Sequence, residues 1–464
     1  MSDDPAVKAI DLYNQGAKIL LSKPTDAESQ QLAYRFFASA VDCDPNLVEG
    51  WFAIGNANSD LGLWDAAVAA WKRGAELSPH DGRFACNIGH RLYWLGKIEA
   101  AKRATEAAIK LEIDSGYGYT NLSLIESVLG NMPKAISAGR KGFELSPEPT
   151  TEMGLAFALM FAGQYAEGLK HFEARFPYKL PQYLEYPYPK WEGEDITGKT
   201  LFLMSEQGIG DTLSFARFIP MVAARAGRVR LHIQPELLRT FSAMFAHLFN
   251  VEIIPLPAPF GEADVWTSMT SLPVVLGLTD KEIVAAPMPG IPDFPAAMMW
   301  KRADRKLHVG VSWQGAKANE VDRWRSFPCE LLFPLANVPG VLLYSLQVGE
   351  GSQDMHMKGA AGFIRDLSPY LRDVGDTLTV MRGLDLVICC ESSVRHMAGA
   401  IGKECWVPYS YCGGDWRCGR NQKHPLWDPN TTLFRQGTDQ TWGPVFKRIV
   451  AGLKARARSD RRAA

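Results

Sequence analysis

A strand-like run, Leu201 to Ser205, passes through Ser205-Glu206-Gln207-Gly208-Ile209-Gly210-Asp211-Thr212 into a helical stretch with Phe215, Phe218 and Ile219 on its apolar side. Such a segment can carry chemistry. Gly208 and Gly210 let the backbone approach a ligand closely, and the free amides of a helix start favour an anion or a sugar hydroxyl. Asp211 either caps the helix it opens or takes a proton from an incoming hydroxyl as a general base. The spacing is neither Gly-x-Gly-x-x-Gly nor a phosphate loop with its lysine, so it suggests neither a dinucleotide nor ATP.

The surrounding chain predicts what must position Asp211. Runs at Leu201 to Ser205, Val229 to Ile233 and Val251 to Ile254, then Leu307 to Trp313, Val341 to Leu346, Asp385 to Cys390 and Cys405 to Val407, alternate with helical stretches. That alternation implies parallel, doubly wound sheets. A proline-rich stretch around Pro287 to Pro295 separates the two sets, predicting two α/β domains with a cleft between them. Upstream, Phe176 to Thr200 is rich in Pro and Tyr and loses helical period, as a linker would.

The first third is a repeat. Leu61-Gly62, Leu95-Gly96 and Leu129-Gly130 recur every 34 residues, with Pro45, Pro79 and Pro147 in the same frame, the tetratricopeptide period. Small residues in that frame would let the first helix of a repeat approach the second, and large apolar ones would fill the space between repeats. The third repeat departs from the pattern, with Ile113 where proline is expected. A divergent first pair, three good repeats to about 147 and an incomplete pair ending near Arg175 predict a helical solenoid with a concave groove. Asn56, Asn87 and Asn121 fall at or near one position of the first helix. Their amides suit an extended peptide backbone, which needs both a donor and an acceptor, or they are ordinary polar residues on a solvated face.

Bulk properties narrow the function. With 50 basic and 51 acidic side chains the chain has a net charge of −1, which offers no broad positive field to nucleic acid or anionic lipid. The acidic start, Met1 to Pro5, does not resemble a signal peptide. The longest apolar stretch, Gly154 to Gly163, is about half the roughly 20 residues a membrane helix requires. Eight cysteines without paired two-residue spacing fit reduced thiols in the cytoplasm rather than a disulfide scaffold or zinc cage.

Several short motifs resemble one family. Trp191-Glu192-Gly193-Glu194, Gly198-Lys199, Glu206 to Thr212, Gly310-Val311-Ser312-Trp313, Asp322-Arg323-Trp324-Arg325-Ser326, Ser345-Leu346-Gln347, Asp385-Leu386-Val387-Ile388, His396 to Lys403, Asp415-Trp416-Arg417 and Leu433-Phe434-Arg435-Gln436 follow one another over most of residues 190 to 450. Together they resemble bacterial tetratricopeptide proteins that carry a heptosyltransferase-like glycosyltransferase domain of the family 9, GT-B type. The layout is also similar to O-GlcNAc transferases and flagellin glycosyltransferases.

This resemblance implies a metal-independent, inverting glycosyltransferase with no cofactor beyond a nucleotide-sugar donor, and a protein or peptide acceptor held by the repeat groove. By position, Asp211 matches the family's catalytic base. On the donor side, Arg323 and Arg325 would hold phosphate in bidentate fashion, with Lys317 a lesser candidate. Glu391, Ser392, Ser393 and Val394 form a helix start suited to phosphate, His396 matches the family histidine, and Gln347 is a possible nucleotide contact. Relatives usually have aspartate and threonine in place of Glu391 and Ser392, which favours an alternative: a non-catalytic scaffold with a degenerate transferase-like half. Trp416 and Arg417 are expected to pack on the cleft wall, and Asp376 to cap a helix. The expected organisation is a solenoid over 1–175, a linker over 176–199, an acceptor-side Rossmann-like domain over 200–295 and a nucleotide-sugar-binding domain over 296–464, whose final helix crosses back to the first α/β domain.

Overall fold

A computed structural model describes residues 4–22, 26–111, 115–294 and 306–463; Ile113 and the boundary expected at 295/296 lie outside them. The chain divides into two compact units, 1–158 and 159–464. In the first, helices α1 (Pro5–Ser22) and α2 (Ala27–Cys43), α3 (Val48–Asp60) and α4 (Trp64–Leu77), α5 (Gly82–Trp94) and α6 (Ile98–Lys110), and α7 (Gly116–Val128) and α8 (Met132–Leu145) pack in successive pairs. This is the tetratricopeptide-like array that the period predicts. A further helix, α9 (Pro149–Phe161), runs across the division. The helix Tyr165–Phe172, expected to close the array, instead packs in the second unit, where Ala166 N donates to Asp280 Oδ1 at 2.6 Å.

Two devices repeat along the array. Gly62, Gly96 and Gly130 end their helices at φ of 76°, 73° and 79°. The amides of Leu63, Lys97 and Asn131 then reach back to the carbonyls of Asn58, Leu92 and Glu126 at 2.8, 2.9 and 2.9 Å, the Schellman closure that favours glycine. Nothing stands within 4 Å of a Cβ placed on Gly62. Gly62→Ala should therefore show backbone strain alone, about 1–2 kcal/mol, read as a lower urea midpoint for the array's transition. The second device is close approach within a pair. A Cβ on Gly55 would lie 2.1 Å from Trp71 Nε1, one on Gly89 would lie 2.3 Å from Thr105 Oγ1, and one on Gly139 would lie 3.1 Å from Ser123 Oγ. Ala67, Ala101 and Ala135, buried in the same frame, keep the helix axes near.

The second unit holds two parallel sheets. Strands β1 (Thr200–Met204), β2 (Arg228–Ile233), β3 (Val251–Pro255) and β4 (Val265–Ser268) form a sheet of order β3-β2-β1-β4, with Leu201 paired to Val229 and to Val265. Strands β5 (Leu307–Ser312), β6 (Val341–Ser345), β7 (Ile364–Asp366), β8 (Leu386–Cys389), β9 (Cys405–Tyr409) and β10 (Thr431–Arg435) form the other, in the order β10-β9-β8-β5-β6-β7. All residues of β5 and β8 are buried, as befits strands covered on both faces.

Two expectations are corrected. The Pro/Tyr-rich stretch is not a free linker. It forms the helix Arg175–Lys179 and the 3-10 turn Pro181–Glu185, and Phe176, Tyr183, Tyr186 and Tyr188 pack on Phe202 and Trp266 of the first sheet. Burying those rings outweighs the absence of a regular period. The final helix, Gly443–Ala463, sets Val445, Phe446, Ile449, Leu453 and Ala457 into the core of the second sheet. Its apolar stripe is matched by Val309, Val311 and Trp406 there, so it belongs to the sheet that precedes it. Among the described residues, no helix is long and apolar enough to cross a membrane.

Candidate functional site

After β1 the chain turns through Glu206, whose side chain is fully buried against Arg175. Arg175 Nε and Nη2 reach the two Glu206 oxygens at 2.7 and 3.1 Å, and Nη1 reaches Glu173 at 2.6 Å. Gln234 Nε2 holds the Gln207 carbonyl. The loop is thus fixed on both sides before the helix Ile209–Phe215 begins. Gly208 occupies the cap position without a side-chain bond. Asp211, two residues into the helix, is no cap: its Oδ1 accepts from Arg417 Nη2 at 2.7 Å.

The helix Ser393–Ala400 follows β8 and meets this first helix. A Cβ on Gly210 would lie 2.7 Å from His396 Cδ2 and 3.2 Å from the Ser393 Cα, so glycine is what allows the two helix starts to touch. Ser214 Oγ and His396 Nδ1 are 2.6 Å apart. Arg395 Nη2 donates to His396 Nε2 at 2.9 Å. His396 Nε2 also lies 3.3 Å from Asp415 Oδ2, so the ring is held between Ser214 on one side and Arg395 and Asp415 on the other.

Behind the contact lies a buried ionic cluster. Arg395, with no exposed side-chain surface, pairs with Asp415 and, at 2.6 Å, with Asp428. Arg417 Nη1 holds the Asp415 oxygens at 3.0 and 3.1 Å while its Nη2 holds Asp211. The Arg417 guanidinium lies 4.4 Å from the Trp416 ring and 5.2 Å from that of Phe215. Glu391 Oε2 accepts from the Asp415 amide at 2.9 Å. Burial alone would raise Asp415, but Arg417 and Arg395 hold its carboxyl well below the usual range. Burial and then Arg395 lower His396.

Glu391 goes the other way: burial, and next the Asp415 charge, push it up to about 7. A carboxyl raised in the folded state binds protons more tightly there than in the unfolded chain. Its stabilising contribution is full below the unfolded value of 4.5 and is lost as pH rises to about 7. Glu391→Gln should remove this fall in stability between those values, as measured by urea unfolding at stepped pH.

The remaining expected contacts separate. Gln347 is buried, and its Oε1 accepts from Ser312 Oγ, Trp313 N and Gln314 N at 2.9, 3.1 and 3.0 Å. Its amide is engaged in holding the loop after β5. Arg325 Nε pairs with Asp322 at 3.1 Å and lies near enough to Glu391 to lower it. Arg323 is exposed, with its guanidinium 4.8 Å from the Trp324 ring. Lys317 is largely exposed and pairs with Glu350 at 3.1 Å. Ser392 takes the cap position of its helix without a side-chain cap bond, and its hydroxyl is buried beside Cys390. Ser393 begins the helix and Val394 is buried within it. Asp376 does not cap; Asp373 does, and Asp376 binds Arg239 and Arg372.

The asparagines of the array bond within it. Asn87 Nδ2 and Trp71 Nε1 both donate to Asn56 Oδ1 at 3.2 Å. Asn121 is buried, donates to the Cys86 carbonyl at 3.1 Å and accepts from His90 Nδ1 at 2.9 Å. These amides stitch neighbouring repeats together, and Asn121 offers no surface to a peptide. What sequence reasoning passed over is the cluster of Arg395, Asp415, Arg417 and Asp428. Only the Asp415-Trp416-Arg417 match pointed to it.

No family model matches the chain. Protein FlbA of Caulobacter vibrioides is 24% identical over 456 residues, spanning 91% of this chain and 76% of its own length. MamA from residue 41 onward, of Desulfovibrio magneticus, aligns at 21% identity and a TM-score of 0.32 over 40% of this chain and 99% of its own. A thermophilic TPR protein of Thermus thermophilus aligns at 17% identity and a TM-score of 0.33 over 38% of this chain and 96% of its own.

Proposed function

We propose that the second unit is a glycosyltransferase that moves a sugar from a nucleotide-sugar donor to an acceptor hydroxyl, and that the repeat array recruits a protein acceptor. The observation that carries this is the meeting of two helix starts, one bearing Asp211 and the other opened by Ser392 and Ser393. In doubly wound sheets, ligands bind beyond the carboxyl ends of the strands, and β1 and β8 both lead into this contact. Asp211 takes the acceptor proton as the acceptor oxygen bonds to the anomeric carbon. The bond from that carbon to phosphate breaks, and its electron pair leaves with the nucleotide, stabilised by the Ser393 helix start and by Arg325. Configuration inverts. Covalent linkage to the array raises the acceptor's local concentration without any further contact.

The test is a thermal-shift screen with nucleotides, followed by hydrolysis and transfer assays with UDP-, ADP-, GDP- and CMP-sugars. A nucleotide that binds the native state raises its melting temperature. Absence of both binding and turnover across the panel would end the proposal. Binding without turnover would favour the scaffold reading, which the engagement of Gln347 and Glu391 inside the protein supports.

A further inference from the structure

The Asp211 carboxylate is used unevenly. Its side chain keeps 27% of its surface exposed, and Oδ1 is tied to Arg417 at 2.7 Å; among the described residues Oδ2 has no hydrogen-bond or ion-pair partner. Arg417 is itself buried and held by several contacts. Its side chain is only 4% exposed, both oxygens of Asp415 grip its Nη1, and its guanidinium lies among the rings of Trp416, Phe215 and Trp427. Asp415 is fixed in turn by Arg395, and it caps its own turn by accepting from the Arg417 amide at 2.9 Å. The chain of contacts therefore runs from the buried centre of the second sheet's domain to a single oxygen on the first domain's helix.

We propose that Arg417, held by Asp415, is a positioning residue that ties Oδ1 of Asp211 and presents Oδ2 as the proton-accepting oxygen. The proposal rests on Asp211 being the base. Division of the carboxylate in this way aims one lone pair at the acceptor hydroxyl, whereas an untied, partly exposed aspartate would rotate about its side-chain bonds. The same contact joins the two α/β domains, so the base is set in place only when the first domain's helix lies against the second domain.

Arg417→Met should lower kcat by roughly 10²-fold, the scale of misplacing a reacting group by about 1 Å, with KM for the donor changed little. Arg417→Lys should recover part of that loss. Asp415→Asn, which loosens Arg417 without removing it, should lower kcat in the same way and carries the test should Arg417→Met not fold. Assays would use whichever of UDP-glucose, ADP-glucose, GDP-mannose or a CMP-sugar the unmodified chain turns over. Crystal structures of the unmodified chain and the variants give a readout independent of turnover. Asp211 should leave its position in Arg417→Met and return toward it in Arg417→Lys. An Asp211 that stays in place, or a kcat equal to that of the unmodified chain in both Arg417→Met and Asp415→Asn, overturns the positioning role. Loss of turnover in every protein, including the unmodified chain, instead overturns the base assignment, while the crystal structures still decide the positioning.

Discussion

Asp211→Asn is expected to abolish most sugar transfer, by roughly 10²–10⁴-fold, the contribution of a positioned general base, while leaving the melting temperature nearly unchanged. The substitution keeps shape. An amide oxygen can still accept from Arg417, and the side chain is partly exposed, so no cavity opens and no donor is stranded. Only the capacity to take a proton goes. Arg417 retains Asp415 as its counter-ion, so the buried guanidinium stays neutralised. Transfer at the unmodified rate with any of the four donor classes would remove Asp211 from the chemistry.

The largest effect on stability should come from Arg395→Met. Removing one partner of a buried ion pair costs about 3–5 kcal/mol, because the remaining charge is left in a poor solvent. Here two carboxylates lose their cation at once. Asp415 keeps Arg417, but Asp428 loses its closest ion-pair partner among the described residues and is left with the more distant Arg217 and with His396 at 4.0 Å. Methionine fills the volume without supplying charge, so the loss is electrostatic rather than a packing defect. A lower urea midpoint for the second unit is the expected result. A change within about 0.5 kcal/mol, the range of ordinary surface substitutions, would mean that the cluster does not act as a unit.

How much of this was written locally in the chain varied with the length of the signal. The array was legible because a 34-residue period repeats the same glycine, alanine and proline positions. Strands such as β5, where Leu307, Val309 and Val311 alternate with His308, Gly310 and Ser312, were legible too. β7, which spans Ile364–Asp366, and β4, which spans Val265–Ser268, are too short for alternation or apolar length to register. Asp211 stood out because a strand, a glycine turn and a helix are contiguous around it. Arg417 did not, since its partner lies 206 residues away and nothing in the neighbourhood of either residue marks such a pairing. For Gln347 the sequence left two readings open, a nucleotide contact or ordinary strand-end hydrogen bonding, because a strand-end amide facing a ligand and one stapling a neighbouring loop have the same sequence. Local order also said little about Asn121, whose burial is a property of the stacked repeats.

The pairing of Gly55 with Trp71, Gly89 with Thr105 and Ser123 with Gly139 restricts how such an array can be rebuilt. Within each hairpin the sizes are matched, and Gly74 of α4 is matched in the same way to Phe84 of the next hairpin. Halves cannot be exchanged freely: α7 joined to α4 would drive a serine into an indole, and α5 joined to α8 would set glycine against glycine and leave a void. Drift at one of these sites therefore obliges a compensating change sixteen residues further along the chain.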